Sequence, residues 1–281
     1  MKISYSRLKM YQTCPRLYYW RFVQNLVLPK EALPLYVGRA VHEGLAAHYS
    51  NRDPKEYIRR SFNEVRESVG WTQPELEELA LQENYVRFIL ESYKTHWSKE
   101  PWTVLAPEVE GHINLGPHQF FFRADGVVSW RGNPWLLEHK TTSQMGPMFF
   151  KKFRNDGQIT AYIYCVWKKL GVRPVGAIIN AIRKSRKLDR VEFGRDVVTR
   201  SPERLEMYMD QVQRELDALE RLTALHADDP SQWFMHTGEC VSYNRECDYV
   251  DLCTKDTPDV RGLYVPRKPD YIDLGGKDET K

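Results

Sequence analysis

Asp125, Glu138 and Lys140 are the residues of this chain whose types and spacing best suit chemistry, within the stretch FFFRADGVVSWRGNPWLLEHKTT. Two β-type runs, 119–130 and 134–141, flank Arg131-Gly132-Asn133-Pro134. Phe, Val, Trp and Leu dominate both runs and Gly-Asn-Pro punctuates them, so the stretch reads as a β-hairpin. Side chains two apart on a strand share a face, so Glu138 and Lys140 point the same way. Asp125, on the neighbouring strand, can meet them across the ladder. Two carboxylates and an ammonium on one sheet face suit a hard divalent cation such as Mg²⁺ or Mn²⁺, with the lysine holding or activating a water. An E-x-K pair also arises on solvated strands as a surface ion pair of little energetic weight. The signal therefore needs companions.

Three are present. Upstream, LYVGRAVHEGLAAHYS has helical character from Gly38, with Ala40, Val41, Leu45 and Ala46 on adjoining faces. It carries Gly38-x-x-x-His42. A lone histidine is usually an ordinary hydrogen-bonding residue near a core, and the rings of His48, His96 and His139 are read that way. Downstream, NDGQITAYIYCVWKKLGV has a helical period, and Gln158 and Tyr162 stand at i and i+4 on one face. That pair could also belong to a generic helix covering a sheet. The third companion is the cysteine pattern. Cys165 lies in the apolar run AYIYCVW and reads as a small buried hydrophobe. Cys14 lies near one end, and Cys240, Cys247 and Cys253 cluster near the other. Four thiolates are what a [4Fe–4S] cluster or a structural zinc requires.

Taken in order, Gly-x-x-x-His, Asp, Glu-x-Lys and Gln-x-x-x-Tyr resemble the RecB-type branch of the PD-(D/E)XK nucleases. Ala124 stands where the name-giving proline would be. YQTCPRLYYWRFV and CDYVDLC resemble the iron–sulfur staple of AddB and of CRISPR-associated and phage-borne RecB-like nucleases. Many members have C-x₂-C-x₅-C, whereas six residues separate Cys240 from Cys247 here. That departure keeps structural Zn²⁺ open. The resemblance, over residues 1–255, implies a divalent-metal-dependent deoxyribonuclease, most simply an exonuclease. It implies His42, Asp125, Glu138 and the main-chain carbonyl of His139 as metal ligands, with Lys140 orienting the attacking water. Gln158 and Tyr162 would position the strand, and cleavage would leave a 5′-phosphate and a 3′-hydroxyl. Cys14, Cys240, Cys247 and Cys253 would hold the cluster and tie the chain ends together. Glu108 and Glu110 fit either a supporting role or a solvated edge strand.

The elements that must position these residues follow from pattern. Helices are expected over 5–11, 15–23, 38–50, 54–69, 74–97, 156–170 and 202–225, and strands over 104–115, the hairpin, 174–183 and 188–197. The order implies an α/β (α+β) fold of restriction-endonuclease-like type. A mixed sheet is flanked by helices, and a helical N-terminal region is tied to a C-terminal cysteine loop. A single domain over 1–265 is expected, with a loose Pro-, Gly- and charge-rich tail over 266–281.

The chain has 281 residues, 42% hydrophobic and 28% charged, with a net charge of +3. This composition is that of a globular protein and excludes collagenous and disordered classes. The net charge is too mild to prove nucleic-acid binding, so local clusters matter more. Basic and aromatic residues interleave over 7–30 (Tyr11, Tyr18, Tyr19, Trp20), around Lys151 and Lys152, and at Arg183, Lys184, Arg186 and Lys187. Cations neutralise phosphates and aromatic faces stack on unpaired bases. DNA, as single strands or duplex ends, is the expected partner. A homo-oligomer, or a protein partner of recombination or CRISPR type, is left open. No apolar leader or membrane-length stretch is seen, so a cytoplasmic protein without disulfides is expected. No Walker-type G-x-x-x-x-G-K-[ST] run is present, so no ATP motor is visible. Two other readings use the same residues: a non-catalytic DNA-binding or assembly subunit on this fold, and a zinc-stapled nucleic-acid-binding protein.

Overall fold

The computed structural model describes residues 1–68, 70–242 and 245–274. The chain starts with strand β1 (Lys2–Ser4) and helices α1 (Tyr5–Thr13) and α2 (Pro15–Tyr18), the latter continuing as a π-turn over Tyr19–Val23. After strand β2 (Leu26–Val27) come α3 (Leu33–Tyr49), α4 (Pro54–Ser68) and α5 (Gln73–His96). Strands β3 (Thr103–Ala106), β4 (Val109–Leu115), β5 (His118–Ala124), β6 (Gly126–Trp130) and β7 (Asn133–Thr142) follow. Then come α6 (Pro147–Lys151), α7 (Gly157–Leu170), β8 (Gly176–Lys184), β9 (Val191–Thr199) and α8 (Pro202–His226). The C-terminal part holds β10 (Val241–Ser242), β11 (Arg245–Glu246), α9 (Val250–Thr254), α10 (Pro258–Arg261) and β12 (Val265–Pro266). The expected α/β architecture, a mixed sheet with helices, is what the chain adopts.

Two compact units are distinguished, residues 31–110 with 123–206 and residues 1–30 with 111–122 and 207–281. The first contains a five-stranded sheet in the order β3-β6-β7-β8-β9. β6 and β7 form the expected hairpin, with Gly126 opposite Leu137 and Trp130 opposite Asn133. β7 and β8 are parallel, as their connection through α7 requires. β8 lies inside the sheet between β7 and β9, and its run GAIINAI is buried throughout, which explains why it reads as a nearly continuous apolar segment. Gly176 is required there, because a Cβ would collide with the Val198 carbonyl on β9.

Helices α3, α4 and α5 pack on one another through Val41, Leu45, Ile58, Phe62, Val86 and Ile89. Local sequence sets their starts. Asp53 accepts from the Lys55 N–H at 3.0 Å, and Glu75 accepts from the Thr72 N–H at 2.8 Å. The expected end of α4 at Val69 lies outside the described residues. α7 is capped by Asp156, whose side chain accepts from Ile159 N at 3.0 Å, and ends at Gly171 with φ of +69°.

The other unit has a three-stranded sheet, β1-β5-β4, with β1 parallel to β5 and Lys2 opposite Gln119. Its core includes fully buried Trp20 and Trp233 together with Tyr19. Residues 266–274 lie in the stretch expected to be loose. Here Arg7 holds Asp270 at 2.6 Å and Asp273 at 2.9 Å, and Ile272 is 2% exposed. The rest of that tail, 275–281, lies outside the described residues.

Candidate active site

Asp125 falls between β5 and β6, where the chain leaves the three-stranded sheet and enters the five-stranded one. The single run expected over 119–130 is thus two strands. Asp125 sits at the break, one residue before Gly126 pairs with Leu137. Both its oxygens are engaged. Oδ2 accepts the main-chain N–H of His139 at 2.7 Å, and Oδ1 lies 3.0 Å from Nδ1 of His42. His42 arrives on α3, one turn after Gly38, which faces the Thr141 hydroxyl on β7.

Glu138 and Lys140 share a face of β7, as period-two alternation requires. Lys140 Nζ donates to Glu138 Oε1 at 2.6 Å and to the amide oxygen of Gln158 at 2.8 Å. Gln158 lies in the first turn of α7, and Tyr162, 7% exposed, is one turn further on. His42 with Asp125, and Glu138 with Lys140 and Gln158, therefore form two hydrogen-bonded sets, linked through the β7 main chain by the His139 N–H that Asp125 accepts. Glu138 is 2% exposed, and its Oε2 is buried without a hydrogen-bond partner among the described residues.

Burial and mutual charge push these groups apart. Burial raises Glu138 to about 7, against the pull of Lys140 and with help from Asp125. Burial also acts to raise Asp125, but His42 and His139 overcome it and hold that carboxyl well below its usual range. For His42, burial favours the neutral ring, but Asp125 outweighs it and the pKa rises. Lys140 is likewise desolvated, yet Glu138 keeps it firmly protonated.

His139 was expected to be an ordinary packed histidine apart from its carbonyl. Its ring is fully enclosed and burial lowers it to about 3, so it is neutral. The side-chain amide of Asn180 donates to its Nδ1 at 2.8 Å. Asn180 Oδ1 in turn accepts from Arg195 Nε at 3.0 Å, and Arg195 forks onto Glu100 at 2.7 and 2.8 Å. Tyr49 stacks on His139 and donates to Glu100 at 2.7 Å, while the Arg195 guanidinium lies 3.5 Å from the Trp97 ring centre and 4.2 Å from that of Trp102. Sequence reading missed this network. Its one local signal was Asn180, a lone amide inside an apolar strand.

The donors are of the right chemical kind for a hard cation: two carboxylates, one with an orphaned buried oxygen, and an imidazole. As arranged, Lys140 occupies one oxygen of Glu138 and His42 one oxygen of Asp125. Among the described residues no group of three or more His, Cys, Asp or Glu side chains stands ready to hold a metal ion. The fit lies in the identity of the donors and in Glu138 Oε2, and filling the site would require Lys140 or His42 to shift.

Cys14, Cys240, Cys247 and Cys253 are half-buried and unbridged, as is fully buried Cys165. The six residues between Cys240 and Cys247 include the strand pair β10–β11, Val241 opposite Glu246 and Ser242 opposite Arg245. Tyr243 and Asn244, between these strands, lie outside the described residues. Cys240 and Cys247 stand at the base of the pair, joined by Cys247 N–H to Cys240 O at 2.8 Å. Burial raises the Cys247 and Cys253 thiols, and each is raised further by Cys14, so these sulfurs lie within electrostatic reach of one another, while no three of them among the described residues are grouped to hold a metal ion. Cys253 also feels Cys240. Among the described residues the buried indole N–H of Trp20 has no hydrogen-bond partner, and it acts to lower the Cys253 thiol.

Of the basic residues, Lys152 lies over Phe149 at 4.1 Å and is lowered by burial and then by repulsion from Lys140, so it is near the polar cluster. Lys151 is exposed. Arg183 is paired with Glu192, Lys184 is half-buried, and Arg186 and Lys187 are exposed. Tyr18, Tyr19 and Trp20 are at most 5% exposed, which removes them as stacking platforms: they are core. Glu108 pairs with Arg123 at 3.4 Å.

An aspartate at a strand break, a Glu-x-Lys strand and a following helix with Gln-x-x-x-Tyr define a class of site. The sequence pattern of the PD-(D/E)XK nuclease superfamily matches residues 2–254, and the chain belongs to that superfamily. A solved structure of a candidate exonuclease from Eubacterium rectale is similar over 98% of this chain and 92% of that one, at 12% identity and a TM-score of 0.49. The crystal structure of SSO0001 aligns over 58% of this chain and 84% of that one, at 15% identity and a TM-score of 0.30. No curated protein matches the chain significantly.

Proposed function

We propose that this protein is a divalent-metal-dependent DNA nuclease of RecB type, acting as an exonuclease on DNA ends or single strands. The observation that carries the reading is the placement of Lys140 Nζ between Glu138 Oε1 and Gln158 Oε1, with Asp125 and His42 bonded to each other in the same polar cluster. A Mg²⁺ or Mn²⁺ held by His42, Asp125, Glu138 and the His139 carbonyl would polarise the scissile phosphate and acidify water. Lys140, kept protonated, orients the attacking water and stabilises the negative charge that develops on phosphate oxygen. Gln158 holds the ammonium in place, and Tyr162 with Gln158 positions the strand. Lys151, Lys152 and the basic residues 183–187 neutralise backbone phosphates.

In the same reading, Cys14, Cys240, Cys247 and Cys253 hold a [4Fe–4S] cluster, with structural Zn²⁺ as the alternative. The strand pair between Cys240 and Cys247 supports this, because it lets a six-residue spacing do what a two-residue spacing does elsewhere. Trp20 supports it through an indole N–H suited to cluster sulfur. No helix among the described residues is long and apolar enough to cross a membrane, and a cytoplasmic setting is part of the proposal. The test is incubation of the pure protein with end-labelled single- and double-stranded DNA, with and without Mn²⁺ or Mg²⁺. Cleavage that requires the ion is expected, and its absence on every substrate would sink the reading.

A further inference from the structure

The turn between β8 and β9 is more than a basic stretch. Arg183, Lys184, Arg186, Lys187 and Arg190 fall within eight positions. With Ser143 and Gln144, from just beyond β7, they line a cavity of about 560 Å³. A single buried hydroxyl fastens both ends of the turn. Tyr85 Oη accepts the Ser185 N–H at 2.7 Å and donates to the Arg190 carbonyl at 2.7 Å. Its ring is 3% exposed on α5. Inside the turn, Ser185 Oγ donates to Asp189 at 2.7 Å and accepts the Lys187 N–H at 3.2 Å, and Leu188 takes a left-handed φ of +57°.

Charge in the turn is unevenly used. Arg183 is committed to Glu192, and Asp189 is engaged by the Ser185 hydroxyl. Lys184 is half-buried and forms no ion pair among the described residues, and burial alone lowers its pKa. A partly desolvated cation without a counter-charge is costly, and an anion would offset that cost.

We propose that this turn is a preorganised phosphodiester site, taking a backbone phosphate of the nucleic-acid strand some nucleotides from the scissile one, with Tyr85 as its positioning residue. The inference rests on the nuclease reading for the identity of the strand. Register sets the distance. Lys140 is opposite Ala181 on β8, so Lys184 lies three positions further along. That is about 10 Å at about 3.3 Å per residue. An odd number of positions also turns the Lys184 side chain to the other face of the strand, so the path between the two sites runs round the end of β8 and is longer than this rise. Because the turn is held before the strand arrives, little ordering cost remains at binding.

The experiment is binding of a labelled single-stranded oligonucleotide to the full chain in EDTA, followed by anisotropy across a salt series. Lys184→Gln with Arg186→Gln should weaken binding by about tenfold at ~0.1 M salt and shrink the log–log salt slope by about 0.7 for each phosphate no longer neutralised. Tyr85→Phe keeps every charge and the buried ring, so a several-fold loss of affinity well below its melting temperature would report the geometry of the turn. Unchanged affinity and slope in the double variant overturn the proposal. So does a pocket that serves free phosphate: inorganic phosphate would then protect the wild type from thermal unfolding, and the double variant would bind DNA normally. Protein that binds the oligonucleotide but never cleaves DNA with Mn²⁺ fails the nuclease reading and leaves this site standing. Protein that cleaves, with a salt slope unmoved by the double variant, fails this site alone.

Discussion

The polar cluster around Lys140 and the cysteine group around Cys14 are built on opposite principles. In the first, charged groups neutralise one another: Lys140 bridges Glu138 and Gln158, and His42 faces Asp125, all at 3.0 Å or less. Four of its five side chains come from one stretch of chain, and only His42 crosses a longer gap. In the second, Cys14 meets Phe234 and His236 across 220 and 222 positions, through sulfur contacts of 3.9 and 3.5 Å. Such long contacts contribute little. Charged groups in a low-dielectric pocket hold their geometry through one another, whereas neutral thiols do not. The polar site therefore holds its geometry through protein atoms alone. In the proposed reading the cysteine group gains its energetic meaning from the cluster or zinc that the four sulfurs would bind.

The largest effect expected is on the polar side. Lys140→Met removes the only ammonium bonded to Glu138 Oε1 among the described residues, and Glu138→Ala removes the carboxylate carrying the orphaned oxygen. Each should lower DNA cleavage by about 10²–10³-fold, as loss of a preorganised charge does. Lys140→Met should still bind DNA. Normal turnover in a folded Lys140→Met protein would show that the cluster is structural and erase the contrast.

The cysteine side is tested by colour. Protein purified without oxygen should be brown, and Cys14→Ser, Cys247→Ser or Cys253→Ser should lose the colour and the associated stability. Cys165→Ser should keep the colour, because that residue is buried in α7. Colourless protein with one equivalent of zinc would replace the cluster by the zinc alternative. Metal-free protein would remove the staple and leave the polar site standing on its own residues.

The two regions also differed in how far they could be read from sequence. Glu138 and Lys140 were legible because a strand's period is fixed, and Gln158 with Tyr162 because a helix's is. The break at Asp125 was not, since the apolar run continues through FFFRADGVV while the backbone changes sheets. β1 was missed because three residues, KIS, carry too little pattern to reveal a parallel partner 117 positions away. Tyr18, Tyr19 and Trp20 looked like a base-stacking surface, and only tertiary packing makes them core. The partners of His139 were invisible for the same reason: Asn180 is 41 positions from it, and Arg195 is 95 from Glu100.

That hidden network sharpens the comparison at a middle scale. Arg195→Ala would leave Glu100 without its cation and remove the donor to Asn180. Breaking a mostly buried pair from one side costs about 3 kcal/mol, measurable by urea unfolding. Cleavage should fall as well, since the His139 N–H orients Asp125. A loss below ~1 kcal/mol would mean that the network is solvated and does not brace β7.

The smallest effect expected is in the pH dependence of the ion-free protein. Glu138 is raised from 4.5 to about 7 in the fold, first by burial. Between these values the unfolded chain sheds the Glu138 proton while the folded chain retains it, so this group's contribution to stability falls as pH rises through the window. Each pH unit inside the window changes stability by at most about 1.4 kcal/mol, less than the single step expected for Arg195→Ala. Glu138→Gln cannot ionise, so its melting temperature relative to wild type should climb between pH 5 and about 7 and level off above, within the scale of a few kcal/mol. A divalent ion needs the carboxylate, so the proton competes with it below about 7, and Mn²⁺ affinity should rise by up to about tenfold per pH unit until the same point. Calorimetry in two buffers of different ionisation enthalpy would count the proton released. A flat affinity profile with no proton release would show that Glu138 is already ionised under Lys140, and that the polar cluster neutralises itself more completely than its orphaned oxygen implies.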